Sequence, residues 1–476
     1  MPPHVRSFGD ACDYLWGMSD LLDTLRGTVP ADRIVTDPDV ISSYTHDEAA
    51  WAPYGTPAAL VRAGSTGDVR NVVAACAERG VPLVPRGAGT GVSGGANALD
   101  GCVLLSLEAM DAIVEINAEE RLAVVQAGVV NDALRNACAE QGLWYPPDPS
   151  SAPWSTIGGN VATNAGGLCC VKYGVTRDYV LAVEAVVGRG EVVRLGRRTA
   201  KGVAGYDLCG LMVGSEGTLG VITEVTVRLR GARSPERTVV GYFDTLRAAG
   251  AAVGMIIASG VVPSALELMD RHVLEAVDAW RQMGLSADAN VLLLGRTDAP
   301  GEAGDAEADA MVRLFDEAGA TWSARSSDEA EAEALFSARK LSHQALERLG
   351  TLLTEDVCVP RGLLPEMLTR VEATAARNDV HIANVAHAGD GNLHPLIVTP
   401  TGDDAARVRA QRAFDEIIAD AIALGGTVSG EHGIGLLKRR GLRDEVSPAV
   451  IAMHHAVKDA LDPAGIFNPG KVIGAP

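Results

Sequence analysis

Apolar positions along this chain follow two rhythms. Short apolar runs bounded by glycine, such as "VPLV" ahead of "PRGAGTGVSGG" and "VITEVTVRL" behind "GLMVGSEGTLG", predict strands that begin or end at tight turns. Between residues 233 and 385 the rhythm changes. Segments such as "EAVDAWRQMGL" and "GDAEADAMVRLFDEAGA" are rich in Ala, Glu, Asp and Arg and space their apolar residues as helices do. The change falls at "LRGARSPERTV", which predicts a boundary near residue 232. After residue 424 the chain turns glycine-rich again, as though it returned to the first unit. The pattern therefore divides the 476 residues into an N-terminal extension (1–18), a glycine-rich unit (19–232), a more helical unit (233–424) and a closing segment (425–476).

One apolar run carries chemistry. "ANVAHAGDGNLHPLIV" (383–398) has Asp390-Gly391 between two strand-like halves, a strong hairpin signal because both turn positions tolerate positive φ. A two-residue turn there sets His387 opposite His394, with the two rings as cross-strand neighbours on one face. The alternative is a pair of hydrogen-bonded hairpin residues with no ligand. Beyond the hairpin, "GGTVSGEHGIGLLKRRG" (425–441) holds Glu431 and His432 between glycines, so the backbone can bring both to a shared point. Two neutral imidazoles and a carboxylate with one position open form the ligand set of a catalytic zinc-type site.

Three glycine clusters suit a phosphate-bearing cofactor. In "VPLVPRGAGTGVSGGAN" (81–97), bare amides after a strand form a nest for phosphate oxygens, and larger side chains would hold the ligand away. Gly89, Gly91 and Gly94 formally match a dinucleotide fingerprint. That NAD reading needs a helix to open after Gly94, and "GANALDGCVLL" offers helix breakers instead. The second cluster (146–178) combines a Pro-rich entry with Ser150, Ser151 and Thr156, then Gly158, Gly159, Gly166 and Gly167 around Asn160, Thr163 and Asn164. That density of amides and hydroxyls suits the polar edges of an isoalloxazine and its ribityl chain. The third places Gly214, Ser215, Glu216, Gly217, Thr218 and Gly220 ahead of a strand.

A formal charge of −20 disfavours nucleic-acid partners and requires that any acidic ligand meet local positive charge. The eight cysteines (Cys12, Cys76, Cys102, Cys138, Cys169, Cys170, Cys209, Cys358) contain no CxxC pair and read as buried thiols in a reducing compartment. No run approaches the roughly 18 apolar residues of a membrane span, and the N-terminus lacks the apolar core of a secretory signal. A cytoplasmic protein is expected.

Taken together, the three clusters and the ending "DPAGIFNPGKV" (462–472) resemble the FAD-binding domain of the vanillyl-alcohol oxidase/p-cresol methylhydroxylase flavoproteins. The resemblance implies an α+β fold: a two-lobed FAD-binding domain of the PCMH type, a cap domain with an antiparallel sheet and flanking helices, and a C-terminal segment returning to the FAD domain. It implies that Arg86, Gly87, Ala88, Gly89, Thr90 and Gly91 hold the pyrophosphate, that residues from Thr156 to Gly167 line the flavin, and that Ile222 lies near the adenine. Its cofactor set also takes in Pro85, Ser93, Gly94, Pro147, Asp148, Tyr173, Gly174 and Asn468. The first loop has no histidine to carry a covalent flavin, so non-covalent FAD is expected.

"HAGDGNLH" and "GEHGIG" resemble motifs of the flavin-dependent 2-hydroxyacid dehydrogenases, among them the glycolate oxidase flavoprotein subunit, D-lactate dehydrogenase and D-2-hydroxyglutarate dehydrogenase. Carried onto matching positions, His387, His394 and Glu431 ligate a divalent metal, with zinc expected. His432 is the base, Asn392 shares the pocket as a third catalytic residue, and Arg339 in "EALFSARKLSHQAL" clamps the substrate carboxylate. Lys438 serves a nearby phosphate or carboxylate. The 2-hydroxyglutarate enzymes place a lysine about fifteen residues past the clamp. This chain has "TLLTEDVCVP" there and no lysine between Lys340 and Lys438, which favours D-lactate or glycolate unless Arg348 or Arg361 compensates. The competing expectations are D-2-hydroxyglutarate oxidation, a metal-free FAD oxidase or ether-lipid synthase, and an electron-transfer flavoprotein with inert histidines. The electron acceptor is open among a quinone, a cytochrome, an electron-transfer flavoprotein and oxygen, and a homodimer is compatible with the sequence.

Overall fold

The structure, a computed structural model, describes residues 20–285, 289–326 and 328–474, so the extension read at 1–18 lies outside the described residues. Strands β1 (Ile34–Val35), β2 (Ala59–Arg62), β3 (Leu83–Arg86) and β4 (Val103–Ser106) form a sheet in the order β1-β2-β4-β3, with β2 and β3 both parallel to β4. The parallel neighbours need a crossover, which the helix Thr66–Arg79 supplies between β2 and β3. Ser65 caps its first turn and Gly80, at φ +63°, ends it in the left-handed conformation. No helix follows β3. Residues 87–102 run as loop directly into β4, so the helix that a dinucleotide fingerprint requires is missing.

A second sheet is antiparallel throughout. It is built from β5 (Ile113–Asn117), β6 (Leu122–Gln126), β8 (Val180–Val187), β9 (Glu191–Gly196) and β10 (Val221–Arg228) in the order β5-β6-β10-β8-β9. A short ribbon pairs β7 (Leu143–Trp144) with β11 (Arg230–Gly231).

The third sheet has eight strands: β12 (Arg237–Phe243), β13 (Ala265–Asp270), β14 (Val291–Thr297), β15 (Trp322–Arg325), β16 (Thr351–Thr354), β17 (Val357–Cys358), β18 (His381–His387) and β19 (Asn392–Thr399). All its pairings are antiparallel, and β18 and β19 sit near one end of the order β15-β12-β14-β13-β18-β19-β16. Alternate residues of β14 enter different cores: Val291 and Leu293 pack on one face, Leu292 and Leu294 on the other. With helices against both faces, every residue of β19 is buried. That is why this stretch reads as a continuous apolar run in which a buried histidine stands out.

The C-terminal segment returns to the first sheet. Leu83 N–H donates to the Ile466 carbonyl at 2.8 Å, and Asn468 N–H donates to the Leu83 carbonyl at 2.9 Å. Lys471, 1% exposed, spends its ammonium on the carbonyls of Gly95 and Asn97 and on Asn468 Oδ1. Phe467, fully buried in the same core, is the apolar anchor of this closure. Truncating it in Phe467→Ala is expected to cost about 3–5 kcal/mol. The loop beneath Lys471 should then loosen, so bound flavin should leave at a lower urea concentration than in the parent protein. Flavin release at an unchanged midpoint would refute the anchoring role.

Candidate active site

A long cleft runs between the two lobes. One end is lined by Pro85 to Ser93, the middle by Ser150, Thr156, Gly158 to Asn160, Thr163 and Gly166 together with Glu216, Gly217, Gly220 and Ile222, and the other end by Arg339, Ser342, His343, His387, His394, Glu431 and His432. Asn468 joins the lining from the C-terminus. The glycines make the cleft narrow. A Cβ on Gly87 would lie 2.3 Å from Thr156 Oγ1, so the first two motifs approach each other only because no side chain intervenes. Thr156 caps the short helix Ile157–Thr163, accepting from Gly159 N–H. Arg86 is buried with Nη1 lacking any partner, a donor in place for an anionic ligand. These features fit the FAD expected from the sequence.

The far end is organised by the β18–β19 hairpin, whose register differs from the expectation. His387 pairs with Asn392, and it is Val385 that pairs with His394. The loop is therefore four residues, 388–391, instead of Asp390-Gly391 alone. Contacts from outside set it: Gly389 N–H donates to the Leu266 carbonyl, and the Gly391 carbonyl accepts from Val359 N–H. The change in pairing is an even number of residues, so both histidines stay on one face. Their rings are 5.1 Å apart and nearly perpendicular.

Glu431 lies in front of both rings, with Oε1 3.1 Å from Nε2 of His387 and 3.1 Å from Nε2 of His394. Behind them stand two more carboxylates. His387 Nδ1–H donates to Glu267 Oε1 at 2.8 Å, while Asp356 Oδ1 lies 3.7 Å from His394 Nδ1. With its Nδ1 proton engaged, His387 turns an Nε2 lone pair toward the Glu431 carboxylate, acceptor against acceptor. Only a second proton or a cation between them makes that contact favourable. A carboxylate behind an imidazole is also the usual support of a metal-bound histidine. The three ligand atoms of His387, His394 and Glu431 lie within 4.8 Å of one another.

Charge balance points the same way. Glu267, Glu355 and Asp356 are buried and Glu431 is partly so, and among the described residues the permanent cations paired with them are Arg339 and Lys438. Burial pushes Glu355 up to about 7, with Lys438 opposing. Burial also pushes Asp356 up, but the charge that His432 takes on only in acid, together with that of Lys438, outweighs it and brings the carboxyl down to about 2. The surplus is met at His387, where burial is outweighed by Glu267 and Glu431 and the pKa is held well above 6.5. A divalent cation would meet it equally, so the donor set fits a metal.

His432 stacks on His394 at 4.7 Å. Burial lowers its pKa to about 4, so the ring is neutral and able to take a proton at pH 7. The loop carrying it is held from two lobes: Asp356 Oδ2 accepts the N–H groups of Glu431 and His432, and Glu216 accepts those of Ile434 and Gly435. Arg339 is 5% exposed, which excludes a surface role. Its Nε is ion-paired with Glu267 Oε2 at 2.9 Å, and Nη2, buried without a hydrogen-bond partner, keeps free donor capacity beside the cleft.

Several expected residues are elsewhere. Asn392 is not in the cleft lining; its amide donates to Asp356 Oδ1 at 2.8 Å and to the Val357 carbonyl, because the hairpin register turns it toward β17. Gly94, Pro147, Asp148, Asn164, Gly167, Tyr173 and Gly174 also fall outside the lining. Gly94, at φ +82°, packs against Ala52 and Leu436, and the Pro147 carbonyl accepts from Asn131. Asp148 holds Cys169, with Gly167 pressed on the Asp148 backbone. Asn164 ends a helix and accepts from Arg177 N–H, Tyr173 bonds Asp298, and Gly174 turns against Asp178. Lys438 meets Glu355 and backbone carbonyls and does not line the cleft. Sequence reasoning missed Glu267, Glu355 and Asp356. Their signal was an acid inside an apolar strand, "SALELMD", and two acids closing one, "TLLTED".

Residues 57–196 match the family described as FAD binding domain, and residues 233–472 match FAD linked oxidases, C-terminal domain. The chain is 39% identical to glycolate oxidase subunit GlcD of Bacillus subtilis (strain 168), over 87% of this chain and 89% of that one. It is 36% identical to D-lactate dehydrogenase of Anaerostipes hadrus (92% and 94%) and 35% identical to D-2-hydroxyglutarate dehydrogenase of Xanthomonas citri pv. viticola (94% and 96%). The fold is that of p-cresol methylhydroxylase solved with substrate bound, with a TM-score of 0.79 at 17% identity over 96% of this chain and 97% of that one. Among the described residues, no helix is long and apolar enough to cross a membrane.

The cluster ties stability to pH when no cation is bound. His387, raised above 6.5, contributes stability that is complete below about pH 6.5 and is lost as pH rises through its folded value. Glu431 is held well below 4.5, where the charge and hydrogen bond of His387 and the bond from His394 outweigh burial. Its contribution is complete above about pH 4.5 and is lost as pH falls through the folded value. Urea midpoints of chelator-treated protein should therefore be highest between about pH 4.5 and 6.5 and fall on the alkaline side. Glu267→Gln should flatten that alkaline limb; the same slope in both proteins would contradict the assignment.

Proposed function

The chain belongs to the FAD-linked oxidases and is an FAD-dependent oxidoreductase; from that premise we propose that it oxidises a short D-2-hydroxy acid, D-lactate or glycolate, to the 2-oxo acid, with a divalent cation, zinc, held by His387, His394 and Glu431. One observation supports this above the rest: a buried arginine with an unused donor, a donor set that fits one cation and a neutral histidine converge on the same end of the cleft.

Arg339 receives the substrate carboxylate on its free donor, while Glu267 holds the guanidinium from behind. That fixes the hydroxyl-bearing carbon within reach of His432. His432, kept neutral by burial, takes the hydroxyl proton at a ring nitrogen. Val385 and Leu396 line the same end and keep water from the reacting carbon. When bound, FAD accepts the hydride and the cation lowers the pKa of the substrate hydroxyl. Arg339 and the cation together give local positive charge to a protein of net −20.

The monocarboxylate preference has a basis in the lining. Neither Arg348 nor Arg361 reaches the cleft; Arg348 stacks over the Trp280 ring. Thr354 lines the region where a dicarboxylate enzyme places lysine. Lys340 does line the cleft, and it is the residue a second substrate carboxylate would meet. D-2-hydroxyglutarate is therefore the reading against which the proposal is tested.

Anaerobic mixing with glycolate, D-lactate and D-2-hydroxyglutarate, followed by flavin bleaching, makes the comparison. Bleaching by the first two is expected, lost after chelation and restored by zinc. Bleaching by the dicarboxylate alone, or bleaching indifferent to chelators, would overturn the proposal. His432→Ala should keep its FAD and bleach on the order of 10²–10⁴ times more slowly, the usual worth of a positioned base.

A further inference from the structure

Asp356 has a place in this site that its neighbours do not explain. It is fully buried, in the two-residue link between β16 and β17, and it lies behind two imidazoles at once. The stacked rings of His394 and His432 point the same way. Each has Nε2 on the Glu431 side, at 3.1 and 3.7 Å from Oε1, and each has Nδ1 on the Asp356 side, at 3.7 Å from Oδ1 and 4.0 Å from Oδ2. Both Nδ1 atoms are buried and have no hydrogen-bond partner.

A neutral imidazole carries one N–H and one lone pair, and the surroundings choose which nitrogen takes the proton. An N–H facing a carboxylate is attracted, whereas a lone pair facing it is repelled; Glu431 stands nearer the two Nε2 atoms than Asp356 does to the two Nδ1 atoms, so Asp356 decides the tautomer when Glu431 is engaged by a cation in the holoenzyme. Asp356 cannot turn away to avoid the choice. Asn392 and Ser429 donate to it at 2.8 and 2.7 Å, and the N–H of His432 donates at 2.8 Å. We infer that Asp356 is a positioning residue that holds the protons of His394 and His432 on Nδ1, leaving the Nε2 lone pair of His394 for the metal and that of His432 for the substrate proton. The present separations are longer than hydrogen bonds, as is common before substrate tightens a site.

A rival occupant exists, since Asp356, His394 and His432 also bring three ligand atoms within 4.8 Å of one another. A second cation there would have to share Asp356 with the Lys438 ammonium, 3.9 Å from Oδ2, and with the donors already on the carboxylate. The inference therefore predicts one metal ion per chain.

The assignment of roles to His394 and His432 rests on the function proposed above, so the test has one arm that needs no turnover. In the holoenzyme with ring-¹⁵N histidine, His432 should show a protonated Nδ1 and a bare Nε2, its resonance assigned by its loss in His432→Gln. In Asp356→Asn, bleaching by the accepted hydroxy acid should slow by on the order of 10–100-fold, the scale expected for a residue supporting a metal-bound histidine. FAD content, one metal per chain and KM should stay near the parent values, and Asp356→Glu should recover part of the rate. A protonated Nε2 on His432 in the parent holoenzyme would overturn the inference even if the variant failed to fold. So would two metals per chain falling to one in Asp356→Asn, or a folded Asp356→Asn that bleaches at the parent rate. If no hydroxy acid bleaches the parent protein, the proposed function fails and the ¹⁵N arm still decides the role of Asp356.

Discussion

Carboxylates buried around the β18–β19 hairpin outnumber the permanent cations that Arg339 and Lys438 provide, and that surplus governs the chemistry available there. Unpaired charge in a protein interior is costly, so the excess must be met by protons, by a metal or by both. The arrangement leaves a defined place to meet it: Glu431 Oε1 stands equally far from two imidazole nitrogens. His387, flanked by Glu267 and Glu431, is the group that takes the charge when nothing else does.

The same carboxylates fasten the two lobes around the cleft. Asp356, from the eight-stranded sheet, and Glu216, from the glycine-rich lobe, each accept two backbone N–H groups of the loop around His432. A Cβ on Gly433 would lie 2.8 Å from the Glu216 carboxyl, so glycine is what allows the loop to approach. The histidine and the expected flavin cleft are thereby held by one set of bonds. Glu267 does comparable work on the other side, joining Arg339 to His387 through its two oxygens. Positioning in this site is carried largely by buried anions that touch neither substrate nor cofactor in the proposed reaction.

Residues with unusual side chains in an ordinary background were legible from the sequence. The two histidines in an apolar run, the "GEHGIG" loop and the glycine clusters each break a local pattern, and the structure brings them to one cleft. Glycine-bounded apolar runs and helical spacing are local signals, yet the part read as helical also holds the eight-stranded sheet, whose strands pair over long sequence distances. Less legible were residues whose role depends on a distant partner. Asn392 looked like a pocket residue by its place in the motif, yet the strand Val357–Cys358 claims it. Tyr173 and Asp148 sit among cofactor-like glycines but face Asp298 and Cys169.

By itself, the amino-acid order determined which side chains were available for the chemistry, and that both histidines would share a face. Period-two alternation makes any even register equivalent, so the mistaken turn length did no harm to that conclusion. Tertiary structure decided the register, through contacts from Leu266 and Val359 to the hairpin loop. It also decided which acids stand behind the imidazoles, since Glu267 and His387 are 120 residues apart and Asp356 and His432 are 76. Electrostatics acts through space, and only the folded sheet sets those distances.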